Sequence, residues 1–276
     1  MIRALVRQNC VVRFALAAMI CGGAATVEAG TMAVTYDPPG VTSADGAALC
    51  LPTTACFVGE ETFASALTGG YTTFSTTLEN VGSLTGGIQG TYTGSLTRSL
   101  ANEYGGADGT SDHFATVSNS SYTLTLTTTG TLPGVNYFGL WFSALDNGNE
   151  LQFYEDNTLL YTFTPTLFRS LVGACTGNTK SAFCGNPTTA FKGDDGGEQF
   201  AFLNFFFEGG GYFNKIVFTE TTGAGFESDN HTVAYLNPPV PSGTLIETAP
   251  EPGSIALVAL GAALVLGLKR RSIRGF

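Results

Sequence analysis

From residue 71 to residue 236 the chain is a succession of short β-rich runs separated by Gly, Asn and Asp. The runs are Tyr71–Leu78, Gly90–Leu96, Phe114–Val117, Tyr122–Thr128, Tyr137–Leu145, Leu151–Tyr154, Thr158–Phe163, Gln199–Phe207, Tyr212–Glu220 and Thr232–Leu236. Runs this short, with turn residues between them, specify strands rather than helices. Tyr122-Thr-Leu-Thr-Leu-Thr-Thr128 alternates apolar and polar, as a strand with one wet face requires. Phe138-Gly-Leu-Trp-Phe142 and Phe200-Ala-Phe-Leu-Asn-Phe-Phe-Phe207 are almost continuously apolar, the pattern of strands covered on both faces. One segment reads as helix: Pro165-Thr-Leu-Phe-Arg-Ser-Leu-Val172 has Pro in its first turn and Gly173 after its last. No 20–50-residue repeat is present, which sets aside solenoids and propellers. The pattern predicts an all-β domain, a two-sheet β-sandwich of jelly-roll type with one short helix. Two domains split near residue 105 is the alternative.

Composition removes several functional classes. Charged residues are 12% of the chain, about half the usual share of roughly 25%. With 21 Phe and 10 Tyr, the chain is too apolar to be disordered. Twelve Lys and Arg against 22 Asp and Glu give −10, the wrong sign for neutralising nucleic-acid phosphates. That total hides an asymmetry. Residues 1–29 hold three Arg against Glu28, and residues 250–276 hold four basic groups against Glu251. The body between them has 5 basic and 20 acidic residues, a charge of −15. A body this acidic is soluble and repels anionic lipid and acidic polymers.

Both ends read as addresses. Residues 1–29 combine a basic start (Arg3, Arg7, Arg13), an apolar stretch Phe14–Val27 and the small-residue cut site Val27-Glu28-Ala29, the form of a secretory signal peptide. A retained N-terminal anchor is the weaker alternative, because the apolar run is short. Residues 249–276 contain Pro250-Glu251-Pro252, an apolar helix over 254–268 and a basic tail over 269–276. Fourteen apolar residues, Ile255–Leu268, span about 21 Å as a helix, so flanking residues must help it cross the membrane. The basic tail stays cytoplasmic and the body, residues 30–248, lies outside.

Pro250-Glu251-Pro252, the short helix and the basic end, in that order at the terminus, resemble the sorting signal of the PEP-CTERM proteins of Gram-negative bacteria. The resemblance implies that Pro250, Glu251 and Pro252 are recognised by an exosortase, a membrane-embedded protease, which removes the helix. It further implies an inner-membrane-anchored precursor and a mature form at the cell surface or in the extracellular matrix. Members of that class accompany exopolysaccharide, biofilm and floc formation. Residues 137–236 also resemble a module recurrent in the class, through Tyr137-Phe-Gly-Leu-Trp-Phe-Ser-Ala-Leu-Asp146, Asn149-Glu-Leu-Gln-Phe-Tyr154, Gln199-Phe-Ala-Phe-Leu-Asn-Phe205 and Gly225-Phe-Glu-Ser-Asp-Asn230. That likeness implies a lectin-like jelly roll and suggests glycan contact.

Six Cys are present, of which Cys10 and Cys21 leave with the signal. The other four allow three connectivities. Nearness in sequence favours Cys50–Cys56 and Cys175–Cys184, and an oxidising compartment permits them. Metal binding competes, but the spacings are not CxxC and no His lies near either pair. His113 and His231 each sit beside an acid, yet no Gly-x-Ser-x-Gly elbow accompanies them. The many acids could supply a glycosidase pair, and none is singled out. No catalytic residue is therefore named. Three oxygen-dense loops, Asp146–Glu150, Asp194–Glu198 and Glu227–Asn230, suit calcium, with Asp146, Asn149, Glu150, Glu227, Asp229 and Asn230 as ligands. Plain turn chemistry explains the same loops. Gly105–Asp112 resembles one turn of a calcium β-roll, which works in stacks. Trp141, Tyr137, Tyr154 and Tyr212 are the aromatic candidates for glycan contact, against the competing reading that they are core.

The expectation is a non-catalytic exported protein that binds or organises exopolysaccharide. Its partners would be signal peptidase, exosortase and the polymer, with no nucleic acid. A secreted glycan hydrolase and a purely structural surface protein are the alternatives.

Overall fold

The computed structural model describes residues 30–64, 69–77 and 81–250. Residues 1–29, expected to be a signal peptide and holding Cys10 and Cys21, and residues 251–276, with Glu251, Pro252 and the helix expected over 254–268, lie outside the described residues. The strands are β1 (Thr31–Tyr36), β2 (Ala55–Glu61), β3 (Gly69–Thr77), β4 (Val81–Gly82), β5 (Gly86–Leu100), β6 (His113–Val117) and β7 (Ser121–Gly130). They continue as β8 (Tyr137–Ser143), β9 (Asn149–Glu155), β10 (Thr158–Phe163), β11 (Ala201–Glu208), β12 (Lys215–Glu220), β13 (Phe226–Asn237) and β14 (Thr244–Pro250). Two short helices interrupt them, α1 (Gly46–Cys50) and α2 (Thr166–Val172). Each of the ten expected strands falls on an observed one. Among the described residues no helix is long and apolar enough to cross a membrane.

All fourteen strands join one antiparallel sheet, ordered β10-β9-β12-β7-β5-β6-β13-β8-β11-β1-β14, with β2, β3 and β4 branching from it. The sheet nearly closes. Tyr161 of β10 donates its phenol to Glu247 of β14, joining the two ends of the path. Strands on both sides of residue 105 pair directly, Thr97 of β5 with Thr116 of β6 among them. The last strand runs to Pro250, which pairs with Thr31. The folded body thus extends two residues past the expected boundary at 248.

The core lies inside this curled sheet. Ile88, Tyr92, Leu124, Phe153 and Phe218 from β5, β7, β9 and β12 meet Met32, Phe138, Phe142, Phe205 and Val233 from β1, β8, β11 and β13. Phe142 stacks on Phe226 at 4.3 Å, and Phe138 contacts Phe153, Phe205 and Phe218. Each fully buried Phe contributes roughly 1.5–3 kcal/mol. The alternation in β7 places Tyr122, Leu124 and Leu126 inward and leaves its threonines outward. β5 shifts its register against β3 by one residue at a bulge between Thr93 and Leu96, beside Gly94 (φ +102°), where a Cβ would meet the Ser121 carbonyl at 2.8 Å.

Helix α2 begins after Pro165 and stops at Gly173 (φ +92°), as the sequence pattern requires. Helix α1 was not anticipated. Asp45 caps it by accepting from Ala48 N at 3.0 Å, so a five-residue turn forms without a long apolar period. Both disulfides are formed in the expected pairing, Cys50–Cys56 and Cys175–Cys184, with Cα separations of 5.6 and 5.4 Å. The first ties α1 to β2 and the second closes the loop after α2.

Candidate functional site

Every residue of β8 is buried, and β11 is buried up to its final Glu208. The cause is coverage on both faces. One face lines the core. On the other, Tyr137, Trp141, Phe200, Phe202 and Phe206 lie beneath the segment from Asp37 to Cys50 and the loop around Ala107. Gly139 makes room for this packing, since a Cβ there would meet the Tyr137 hydroxyl at 2.4 Å and the Phe202 ring at 2.8 Å.

The covering segment is anchored at several points. Asp37 N donates to Phe202 O at 3.1 Å, and Asn230 Nδ2 donates to Thr42 O at 2.9 Å. Between it and the sheet lies a cleft of about 300 Å³. Its apolar walls include Val41, Leu49, Pro52 and Val240, and its polar groups are Asp37, Ser43, Asp45, Tyr137, Asn204 and Ser242. At the floor Tyr137 Oη donates to Asn204 Oδ1 at 2.7 Å, and Asn204 Nδ2 donates to Asp37 Oδ2 at 3.2 Å. Partial burial raises the Asp37 carboxyl above its ordinary value, while the Asn204 bond opposes the rise. The chain of bonds holds Tyr137, Asn204 and Asp37 in fixed relative orientation. Asn204 carried a signal in the sequence: it is the only polar residue in an otherwise apolar run.

The same outward face of β13 carries Glu227 and Asp229. Glu227 is 8% exposed, and its Oε2 has no hydrogen-bond partner. Burial, then Asp146 and Glu198, push its carboxyl up to about 8. Burial, Asp146 and Asp195 push Glu198 up to about 7. The structure therefore brings the Asp146, Asp195–Glu198 and Glu227 loops together. Asn149 stitches them, its amide donating to Gly225 O at 2.8 Å and accepting from Asp146 N at 3.3 Å when oriented to satisfy both.

The six expected calcium ligands nonetheless do not share one site. Asp229 accepts from Ala107 N and Asn230 N, both at 2.8 Å, and neighbours Asp112. Burial and then the Asp112 charge raise its carboxyl well above the usual range. Glu150 follows Asn149 on β9, paired with Thr219 of β12, and strand alternation turns it to the other face from Asn149. Among the described residues no group of three or more His, Cys, Asp or Glu side chains is placed to hold a metal ion. Glu227 and Asp229 leave β13 on one face but one strand repeat apart, so each meets a different loop, Asp146 and Glu198 at the first and Ala107 and Asp112 at the second, which spacing alone could not reveal.

The aromatic candidates divide as well. Trp141 is 0% exposed and packs on Phe200 at 6.0 Å, so no ring face is open to a sugar. Tyr137 is 0% exposed, but lines the cleft. Tyr154 is half-buried on β9, bonded to Gln152 Oε1 at 2.6 Å, with the Lys215 ammonium 4.4 Å from its ring. Tyr212 is half-buried 6.1 Å from Tyr235. His231 stands in the core between Tyr92 Oη at 3.0 Å and Ser228 Oγ at 2.9 Å, and burial lowers it to about 3. It is a structural hydrogen-bonding group closed off from solvent.

No family model, curated protein or solved structure matches the chain.

Proposed function

We propose that this chain is a non-catalytic, exported β-sandwich of jelly-roll type that binds a neutral glycan at the cell surface or in the matrix. The cleft carries the reading. It combines apolar walls with Asp37, Asn204 and Tyr137 held in fixed orientation, the mixture that recognises a polyol ring without covalent chemistry. The curled sheet, with a core shared by strands from both ends of its path, supports the sandwich. The two disulfides favour an oxidising destination. Sorting by exosortase remains the proposal that Pro250, Glu251 and Pro252 motivate. The body's charge of −15 directs the reading toward neutral rather than acidic polymers.

The test is calorimetric titration of the purified protein with neutral oligosaccharides. Wild type is expected to bind. Asp37→Ala is expected to lower affinity at least tenfold while its melting temperature stays near that of wild type. Equal affinity of the two proteins would remove the cleft, and no saccharide binding by wild type would remove the reading.

A further inference from the structure

The wall opposite the cleft carries a second surface. Register places Thr73 of β3, Thr93 of β5 and Thr123 of β7 side by side in one row. Ser75, Thr91 and Thr125 form the next row, and Thr77, Gln89 and Thr127 the third. Their inward neighbours Phe74, Tyr92 and Leu124 occupy the core side, so all nine face outward. Each is exposed or half-buried. Rows repeat about every 6.7 Å along the strands, and columns about every 4.8 Å across them.

Threonine is favoured on any exposed strand, so its abundance alone decides nothing. The absence of charge does. Solvent-facing and peripheral strands ordinarily carry Lys or Glu, which keeps them soluble and unpaired. None of these nine positions is charged, on a body whose net charge is −15. β3, which pairs with β5 at the margin of the sheet, is no exception. The β-branched side chains also have few rotamers, so little entropy is lost when a ligand orders them.

We propose that this hydroxyl grid is an extended docking surface for a neutral polysaccharide chain. Hydroxyls would exchange hydrogen bonds with the sugar hydroxyls, and threonine methyls would contact the C–H faces of the rings. A neutral polymer meets no repulsion here, whereas an acidic one would be repelled by the rest of the body. The middle row continues through Lys215 to Tyr154, which gives the polymer an aromatic edge at one end of the grid. The proposal rests on the glycan-binding reading, but uses a face remote in topology from the cleft.

The experiment is co-sedimentation of the purified protein with microcrystalline cellulose and with an amorphous neutral β-glucan. It compares wild type, Thr93→Lys with Thr127→Lys, and a control of equal added charge, Thr176→Lys with Thr179→Lys, on the exposed loop after α2. All three should melt within a few degrees of one another. Wild type and the control are expected to partition onto polymer alike, and the grid double variant at least tenfold less. If the grid double variant sediments like wild type, the grid is not the docking surface, although the glycan reading stands. If wild type sediments with neither polymer, both fall. If wild type instead concentrates into growing ice and the grid double variant does not, the occupant is an ordered water lattice, and the polysaccharide proposal is overturned.

Discussion

Replacing Arg98 by methionine is expected to destabilise the fold by about 3–5 kcal/mol, the usual consequence of removing one partner from a buried ion pair. Arg98 Nη2 lies 3.4 Å from Glu61 Oε1, and the two side chains are 3% and 8% exposed. The guanidinium also lies 3.8 Å from the centre of the Phe74 ring and 5.6 Å from that of Phe63. One side chain on β5 thus holds β2 through Glu61 and β3 through Phe74. Glu61 has a second duty, accepting from Phe63 N at 2.7 Å. Methionine conserves much of the volume but strands the carboxylate. Adding Glu61→Gln removes the stranded charge, and recovery of at least half the loss is expected. Urea unfolding midpoints measure both effects. A loss below about 1 kcal/mol in the single variant would contradict this assignment.

Glu227→Gln is expected to do the opposite at alkaline pH, stabilising the protein by on the order of 3 kcal/mol at pH 8 and by nothing measurable at pH 4. The folded carboxyl titrates near 8, and the ordinary value is 4.5. Below pH 4.5 folded and unfolded chains both hold the proton, and Glu227 costs nothing. Between 4.5 and 8 the unfolded chain releases it while the folded chain retains it, so stability falls as pH rises. Glutamine keeps the shape without the acid. His231 works in the other direction: it stays neutral in the fold down to about 3, so stability is lost as pH falls from 6.5 toward that value. That contribution is common to both proteins and cancels in their difference. Melting at pH 4 and pH 8, in chelator, gives the comparison. A variant no more stable than wild type at pH 8 would mean that burial, with Asp146 and Glu198 nearby, does not hold the Glu227 carboxyl above its ordinary value.

What could be read from the chain follows from period and length. β7 announced itself because its leucines and threonines alternate across one wet face. β8 and β11 announced their double coverage through unbroken apolar runs. The pattern does not mark β1, β2, β4 or β14, for separate reasons. β1 follows directly on the apolar N-terminal stretch, β2 ends in Gly-Glu-Glu, β4 is only two residues long, and β14 resembles a linker into Pro250. Each strand is defined by a partner far away in sequence, as when β1 lies between β11 and β14. The disulfides were legible because both loops are local. The acids were legible as oxygen-rich turns, but not as partners. That Glu227 meets Asp146 while Asp229 meets Asp112 depends on which distant loop folds over each position along the same face of β13. Asp37 and Asn204 meet across a sequence separation of 167, beyond the reach of any local pattern.

The most direct test of the account is a glycan array probed with the purified protein at pH 7 and moderate salt, carrying neutral and acidic polymers side by side. The account predicts retention on neutral glycans and little on polyanions. Binding confined to acidic polymers, or to no polymer at all, would contradict it.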